Sequence, residues 1–221
     1  MNERPIKKKK IKNKLERKIE RDLIKIFGFF AFLVILFLVA SYVFKSLNQF
    51  EYEGLTFTKE KNGEITFYHY YYSFEAPNGG TIRYNLYLRT DPRENNVSIE
   101  GDEINFPIDK DVYVTMDTSE LNRCERSVIA VATLISFLTN NQLKVKAGTN
   151  DFIEHALRKD PYITCANHPD DPVISMQMGD ETMITANGNC YNITIGPECN
   201  IIEAVEKFEV QAILDARERN S

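Results

Sequence analysis

The four cysteines of the sequence are its most reactive residues, and their spacing decides which chemistry they can support. They are Cys124, Cys165, Cys190 and Cys199. Cysteine forms disulfides, binds zinc as a thiolate or acts as a nucleophile beside histidine. The chain has no Cys-x-x-Cys pair, and Cys165 precedes His168 by three residues without a second pair of ligands nearby. The even number therefore favours two disulfides, and we predict neither a metal site nor a cofactor.

Three pairings of these cysteines are open. The predicted elements favour Cys165–Cys190, which would join the ends of neighbouring strands, and Cys124–Cys199, which would join the starts of two long helices. Zinc binding through Cys165 and His168, and a cysteine–histidine nucleophile, are the alternatives. Oxidation of the thiols to disulfides would exclude both.

An aromatic run and an acidic turn are the two candidate binding features. The run YHYYYSF begins at Tyr68, and alternation along a strand places Tyr68, Tyr70 and Tyr72 on one face. We predict these tyrosines to be a binding surface for a glycan or protein partner, with a strand packed on both faces as the alternative. The turn Asp117-Thr118-Ser119 joins a predicted strand to a predicted helix, which is where α/β sheets form ligand pockets, although it also suits helix capping.

Other motifs are few. Asn96 and Asn192 begin Asn-x-Ser/Thr sequons and are candidate glycosylation sites, with Asn96 favoured because Asn192 lies in a predicted strand. No GxSxG, Walker A, GxGxxG or HExxH motif occurs, so the catalytic residues, if the chain has any, are unknown.

Residues 55–108 are predicted to form an antiparallel β-meander. Asn62-Gly63 is a strong hairpin signal between two strand-like runs. Residues 76–80 predict the next turn, and residues 81–89 alternate apolar and polar side chains as a half-buried strand does. Two further short strands are expected near residues 97–100 and 104–106.

Residues 109–221 are predicted to form an α/β part that contains all four cysteines. A helix is expected from Asn122 to Thr139, capped by the Asn122–Glu125 pattern or by Asp117, and buried all round because it is almost wholly apolar. Residues 201–219 predict an amphipathic C-terminal helix. A short helix is expected at residues 151–158, and strands at residues 112–116, 143–148, 162–165, 173–178, 182–186 and 190–195.

Residues 26–44 form an uncharged apolar run of 19 residues, long enough for a helix to cross a bilayer core of about 30 Å. Residues 1–25 carry eleven basic and four acidic residues, a net charge of +7, whereas the remainder of the 221-residue chain carries −12. The positive-inside rule then predicts a cytoplasmic tail (1–25), a signal anchor (26–44), a linker (45–54) and an exterior domain. A cleaved signal peptide and a processed pilin-like leader are the alternatives.

The basic tail itself predicts a contact with lipid. Its apolar residues recur every four positions between lysines, which indicates a basic amphipathic helix on anionic lipid, with a solvated orientation signal as the alternative. These residues are Ile11, Leu15, Ile19 and Leu23. We do not expect nucleic-acid binding, because no aromatic residues are interleaved with the basic ones.

The fold class predicted is mixed α+β. It comprises one N-terminal transmembrane helix, an antiparallel β-meander, then a mixed sheet with two long helices and a C-terminal amphipathic helix. We expect a single-pass protein of the cell membrane whose extracytoplasmic domain has a non-catalytic role, either binding an envelope protein or glycan or supporting an assembly. An anchored hydrolase or transferase with a site near Asp117 is one alternative, and a processed pilin-like or secreted subunit is the other.

Overall fold

A computed structural model describes residues 5–75, 79–107 and 109–219, with side chains from residue 21 onward. The chain divides into two compact units, Met1–Phe50 and Glu51–Ser221.

The first unit consists chiefly of one long helix. Helix α1 spans Pro5–Asn48, and within it Arg21–Asn48 is the one described stretch long and apolar enough to cross a membrane. The side chains of residues 5–20 lie outside the described residues, so the predicted amphipathic face of the tail is not tested. The predicted linker at residues 45–54 is wrong in detail. The helix continues to Asn48 because residues 45–48 contain neither glycine nor proline, and strand β1 (Gln49–Tyr52) follows directly.

The predicted antiparallel meander is present as a four-stranded sheet. Its further strands are β2 (Leu55–Asn62), β3 (Ile65–Glu75) and β4 (Thr81–Leu88), in the order β1-β2-β3-β4. β2 and β3 pair antiparallel through the predicted hairpin, where Gly63 has a φ of +63° that L residues rarely adopt. Residues 76–78 of the next predicted turn lie outside the described residues.

The second sheet is mixed and has six strands. They are β5 (Ser98–Gly101), β6 (Asp111–Met116), β7 (Lys144–Thr149), β8 (Val173–Met178), β9 (Met183–Asn187) and β10 (Cys190–Ile195). The strand order is β5-β9-β10-β8-β6-β7, with β9 and β10 antiparallel and the other pairs parallel.

Three strand predictions are wrong. The sequence places β5 in the meander, but this strand pairs in parallel with β9. Gly101 permits this approach, because a Cβ there would lie 1.9 Å from the carbonyl oxygen of Ala186. Residues 104–106 and 162–165 are not strands; in the second stretch Tyr162 makes only an isolated bridge to Thr149.

Four helices accompany the second sheet. They are α2 (Thr118–Leu121), α3 (Ser127–Asn140), α4 (Phe152–Arg158) and α5 (Ile201–Arg219). The predicted helix start at Asn122 is wrong, because Asp117 caps the separate helix α2 and α3 begins only at Ser127. The expectation that α3 is buried all round is also wrong. Leu134 is buried, whereas Val128 on the other face is 75% exposed.

Helix α5 contacts both sheets and forms the centre of the core. The Phe208 ring lies 5.9 Å from the Tyr191 ring of β10, and the Glu206 carboxyl accepts a backbone hydrogen bond from Arg89 at the end of β4. Disulfides join Cys124 to Cys199 and Cys165 to Cys190, the two pairs that the sequence favoured. The first joins the segments that precede α3 and α5.

Candidate ligand-binding pocket

Strand β3 turns its predicted tyrosine face towards α5. Alternation along the strand places Tyr70, Tyr72 and Phe74 side by side, with ring centroids 5.9 Å apart for the first pair and 6.0 Å for the second. Phe57 of β2 adds a ring 5.5 Å from Tyr70. These rings are half-buried except Phe57, which is fully buried, so this face forms a wall rather than an open platform.

The opposite wall comes from α5, where small side chains leave room. Ala212 and Ala216 are four residues apart and therefore share one helix face, with Ile213 beside them. The space between the two walls is an open cavity of about 360 Å³. Its other lining residues are Ser73, Phe106, Phe137, Asn141, Leu143, Arg217 and Arg219.

The tyrosine hydroxyl inside the pocket already has a partner. Tyr72 donates a hydrogen bond to Oδ1 of Asn141 at 2.6 Å. Burial raises the pKa of Tyr72, and the bond to Asn141 opposes part of that rise. Tyr72 therefore stays neutral and the wall it forms is largely apolar.

Two arginines of α5 supply the positive charge of the lining. Arg217 donates from Nη1 to the carbonyl oxygen of Gly54 at 2.6 Å. Arg219 donates from Nη1 to the carbonyl oxygen of Ile104 at 3.0 Å, and the same atom lies 3.8 Å from Oε2 of Glu103. A guanidinium carries five N–H donors, so these bonds leave donors for an anion. Glu103 competes at Arg219, which makes Arg217 the stronger anion-binding group.

Two buried carboxyls lie further towards the start of α5. Glu206 accepts from the backbone N–H groups of Arg89 at 2.5 Å and Thr90 at 3.0 Å, and burial raises its pKa to about 7. Glu209 is fully buried, and within the described residues neither of its carboxyl oxygens has a hydrogen-bond partner. Burial raises the pKa of Glu209 well above its usual range, and Glu206 adds to the rise. Glu209 is therefore held as the neutral acid.

The predicted pocket at Asp117 is a different and more polar place. Oδ1 of Asp117 accepts from the backbone N–H groups of Ser119 at 3.0 Å and Glu120 at 3.1 Å, which is helix capping. Thr118 donates its hydroxyl to Glu154. Asp117 lines a shallow groove of about 540 Å³, but Thr118 and Ser119 do not. A functional site there stays a prediction.

The outer face of the four-stranded sheet is the exposed aromatic surface. Tyr71 is 54% exposed, with the Arg83 guanidinium 3.7 Å from its ring centroid. Tyr87 is 47% exposed and stacks on His69 at 4.4 Å. Tyr68, Tyr70 and Tyr72, the residues proposed from the sequence, lie on the half-buried inner face, and of these only Tyr68 is not part of the pocket lining.

The remaining predicted sites are separate from the pocket. Asn96 is exposed, whereas Asn192 is half-buried in β10 between two neighbouring strands. Glycosylation of either residue stays a prediction. Cys165 forms a disulfide and His168 packs its ring 4.1 Å from that of Tyr113. The described residues contain no group of three or more histidine, cysteine or acidic side chains that could hold a metal ion.

Sequence reasoning identified the aromatic wall but missed the half of the pocket that α5 provides. One signal was present, because Glu206 and Glu209 fall within the apolar stripe of α5. Acids at such positions indicate an unusual environment on that helix face. No protein-family model, curated protein or solved structure matches the chain. Function is therefore argued from the geometry of the site.

Proposed function

We propose that the chain is a single-pass membrane protein that holds its disulfide-bonded domain outside the cell membrane, with the N-terminus in the cytoplasm. The net charge of +7 before the apolar helix supports this orientation. Two disulfides in the residues that follow the helix support an oxidising compartment. Cleavage near the helix, which would give a pilin-like or secreted subunit, is the alternative that the orientation experiment below also tests.

The role we propose for the domain is binding. The observation that carries this proposal is the open cavity between β3 and α5. Burying an apolar group against its walls would be favourable by roughly 25 cal/mol per Å² of area removed from water. A largely apolar cavity with a few polar groups at its edge is the usual form of a ligand site. The bound group is therefore an apolar part of an envelope ligand, and the site needs no chemical step.

An anchored hydrolase or transferase acting near Asp117 has less support. The Asp117 carboxylate is engaged in capping α2, and the Ser119 hydroxyl donates to it at 2.6 Å. These bonds direct both groups into the helix start. We therefore propose the pocket, and not this turn, as the functional site.

Cysteine labelling in intact cells tests the orientation. Ala216→Cys places a thiol at the pocket wall, Ala132→Cys places one on the exposed face of α3, and Asn2→Cys places one in the basic tail. A membrane-impermeant maleimide should label the first two and leave the tail variant unlabelled until the cells are permeabilised. Labelling of the tail alone would overturn the orientation. Loss of the tail from the mature protein would identify a cleaved anchor.

The same variants test the binding role. If the pocket is occupied in cells, labelling at residue 216 should be several-fold slower in cells than in the purified, ligand-stripped full chain. Labelling at residue 132, outside the pocket, should have the same rate in both. Equal rates at both positions in both preparations would contradict the binding role.

A further inference from the structure

We propose that the β3–α5 pocket binds the single hydrocarbon chain of an anionic amphiphile from the membrane, with Arg217 on its carboxylate or phosphate head group. This inference names the ligand class for the binding role proposed above and rests on it.

The size and walls of the cavity favour one chain. A volume of about 360 Å³ is at the low end for ligand sites, and the tyrosine, phenylalanine, leucine and alanine walls bury apolar surface. Tyr72 and Asn141 satisfy each other, so a ligand chain leaves neither of them without a hydrogen bond. A hydrocarbon chain can enter from the surface because the cavity is open.

Charge favours an anionic head group. The chain after the basic tail carries a net charge of −12, yet Arg217 and Arg219 are the only ionisable side chains, other than tyrosine, that line this cavity in the described structure. Guanidinium groups bind carboxylates and phosphates in bidentate fashion. Arg217 is exposed and its described hydrogen bond is to a carbonyl oxygen, so an anion would meet no carboxylate competitor there.

The membrane is the source that the sequence favours. Arg217 bonds to Gly54, and Gly54 follows the last residue of the apolar helix, Asn48, by six residues in the chain. A domain tethered in this way meets membrane amphiphiles at high effective concentration. A soluble aromatic acid has the same carboxylate and an apolar body, and the experiment therefore includes one.

A tryptophan reporter can detect the bound hydrocarbon chain of the ligand directly. The sequence contains no tryptophan, so Phe74→Trp places the only one in the pocket wall. The full-length variant is reconstituted in zwitterionic liposomes and titrated with a fatty acid brominated in its chain. Bromine quenches the fluorescence only on close approach. We expect saturable quenching, whereas a Tyr87→Trp reporter on the outer sheet face should show none.

Variants then separate the two parts of the ligand. Ala216→Phe fills the cavity and should abolish quenching. Arg217→Gln should weaken binding of the fatty acid about tenfold, the loss of one charge-assisted interaction, and should leave the matching brominated fatty alcohol unchanged. Arg126→Gln, an exposed arginine before α3, is the matched control and should have no effect.

Three outcomes would overturn the proposal. Quenching that is unsaturable and insensitive to both Ala216→Phe and Arg217→Gln would show partition into the bilayer only. Saturable quenching by a brominated naphthoate, without quenching by the brominated fatty acid, would identify a soluble aromatic acid as the ligand. No quenching, together with slow labelling at residue 216 in cells, would leave the binding role intact and the ligand class wrong.

Discussion

The burial of helices α3 and α5 is the reverse of what the hydropathy of their sequences suggests. α3 is almost entirely apolar, yet Val128 is 75% exposed and Ile129 is 41% exposed. α5 carries many charges, yet Glu206 and Glu209 are 3% and 0% exposed. Hydropathy therefore ranks the two helices opposite to their burial. The neighbours of each helix decide its burial, because α5 is covered along most of its length whereas α3 buries only one face, on α5, β7 and the Tyr84 ring of β4, and leaves the other in solvent.

The largest test of this comparison removes the covalent link between the two helices. The Cys124–Cys199 disulfide closes a 75-residue separation, so the double alanine variant should lose about 4.5 kcal/mol of unfolding free energy. Removing Cys165–Cys190, which closes 25 residues, should cost about 3.5 kcal/mol. Urea titration of the full chain in detergent measures both. If removing Cys124–Cys199 costs less unfolding free energy than removing Cys165–Cys190, the position of α5 does not depend on this disulfide.

The next largest expected effect is the dependence of unfolding free energy on pH that the buried acid Glu206 causes. Its pKa rises from the usual value of 4.5 to about 7 in the folded chain, so the folded state holds a proton that the unfolded state has released. Stability should therefore fall as pH rises from 4.5 to 7, by about 3 kcal/mol from Glu206 alone, and the raised pKa of Glu209 should add to this fall and extend it to higher pH. Unfolding free energies measured at half-unit pH intervals give this slope.

Two substitutions on the same helix sharpen the result. Glu206→Gln removes the titration of this carboxyl and should reduce the fall in unfolding free energy between pH 4.5 and 7 by about 3 kcal/mol. Glu218→Gln at the exposed end of α5 should leave that fall unchanged. The charge of Glu206 raises the pKa of Glu209, which is the second buried acid that contributes to the pH dependence of stability. If the fall between pH 4.5 and 7 is unchanged in Glu206→Gln and is lost in Glu209→Gln, the proton in that range is on Glu209 and not on Glu206.

Sequence patterns predicted the elements whose signals are local. The turn residues around Gly63, the alternation in β4 and the stripe of α5 each lie within one element, and the structure has them at or near the predicted bounds. The strands β8 and β10 match the prediction residue for residue, because both are largely apolar runs that end at glycine-containing turns, and β10 alternates as a strand does.

Features that depend on distant pairing could not be predicted in this way. β5 pairs with β9, about 85 residues later in the chain, and only the close approach at Gly101 makes that pairing fit. The predicted start of α3 at Asn122 rested on a local capping pattern, and the tertiary structure overrides that pattern, because the helix begins at Ser127. The pocket needs β3 and α5, which are more than 120 residues apart, so sequence reasoning found Tyr70 and Tyr72 but not Ala216 or Arg217.

The smallest expected effect concerns the exposed face of α3. Val128→Ser replaces an apolar side chain that is mostly in solvent, at similar helix propensity, so unfolding free energy should change by less than about 0.5 kcal/mol. Leu134→Ala on the buried face of the same helix is the control and should cost about 2–5 kcal/mol. Both are measured by urea titration of the purified full chain. A loss above about 2 kcal/mol for Val128→Ser would mean that this face is covered in solution, and the contrast with α5 would then fail.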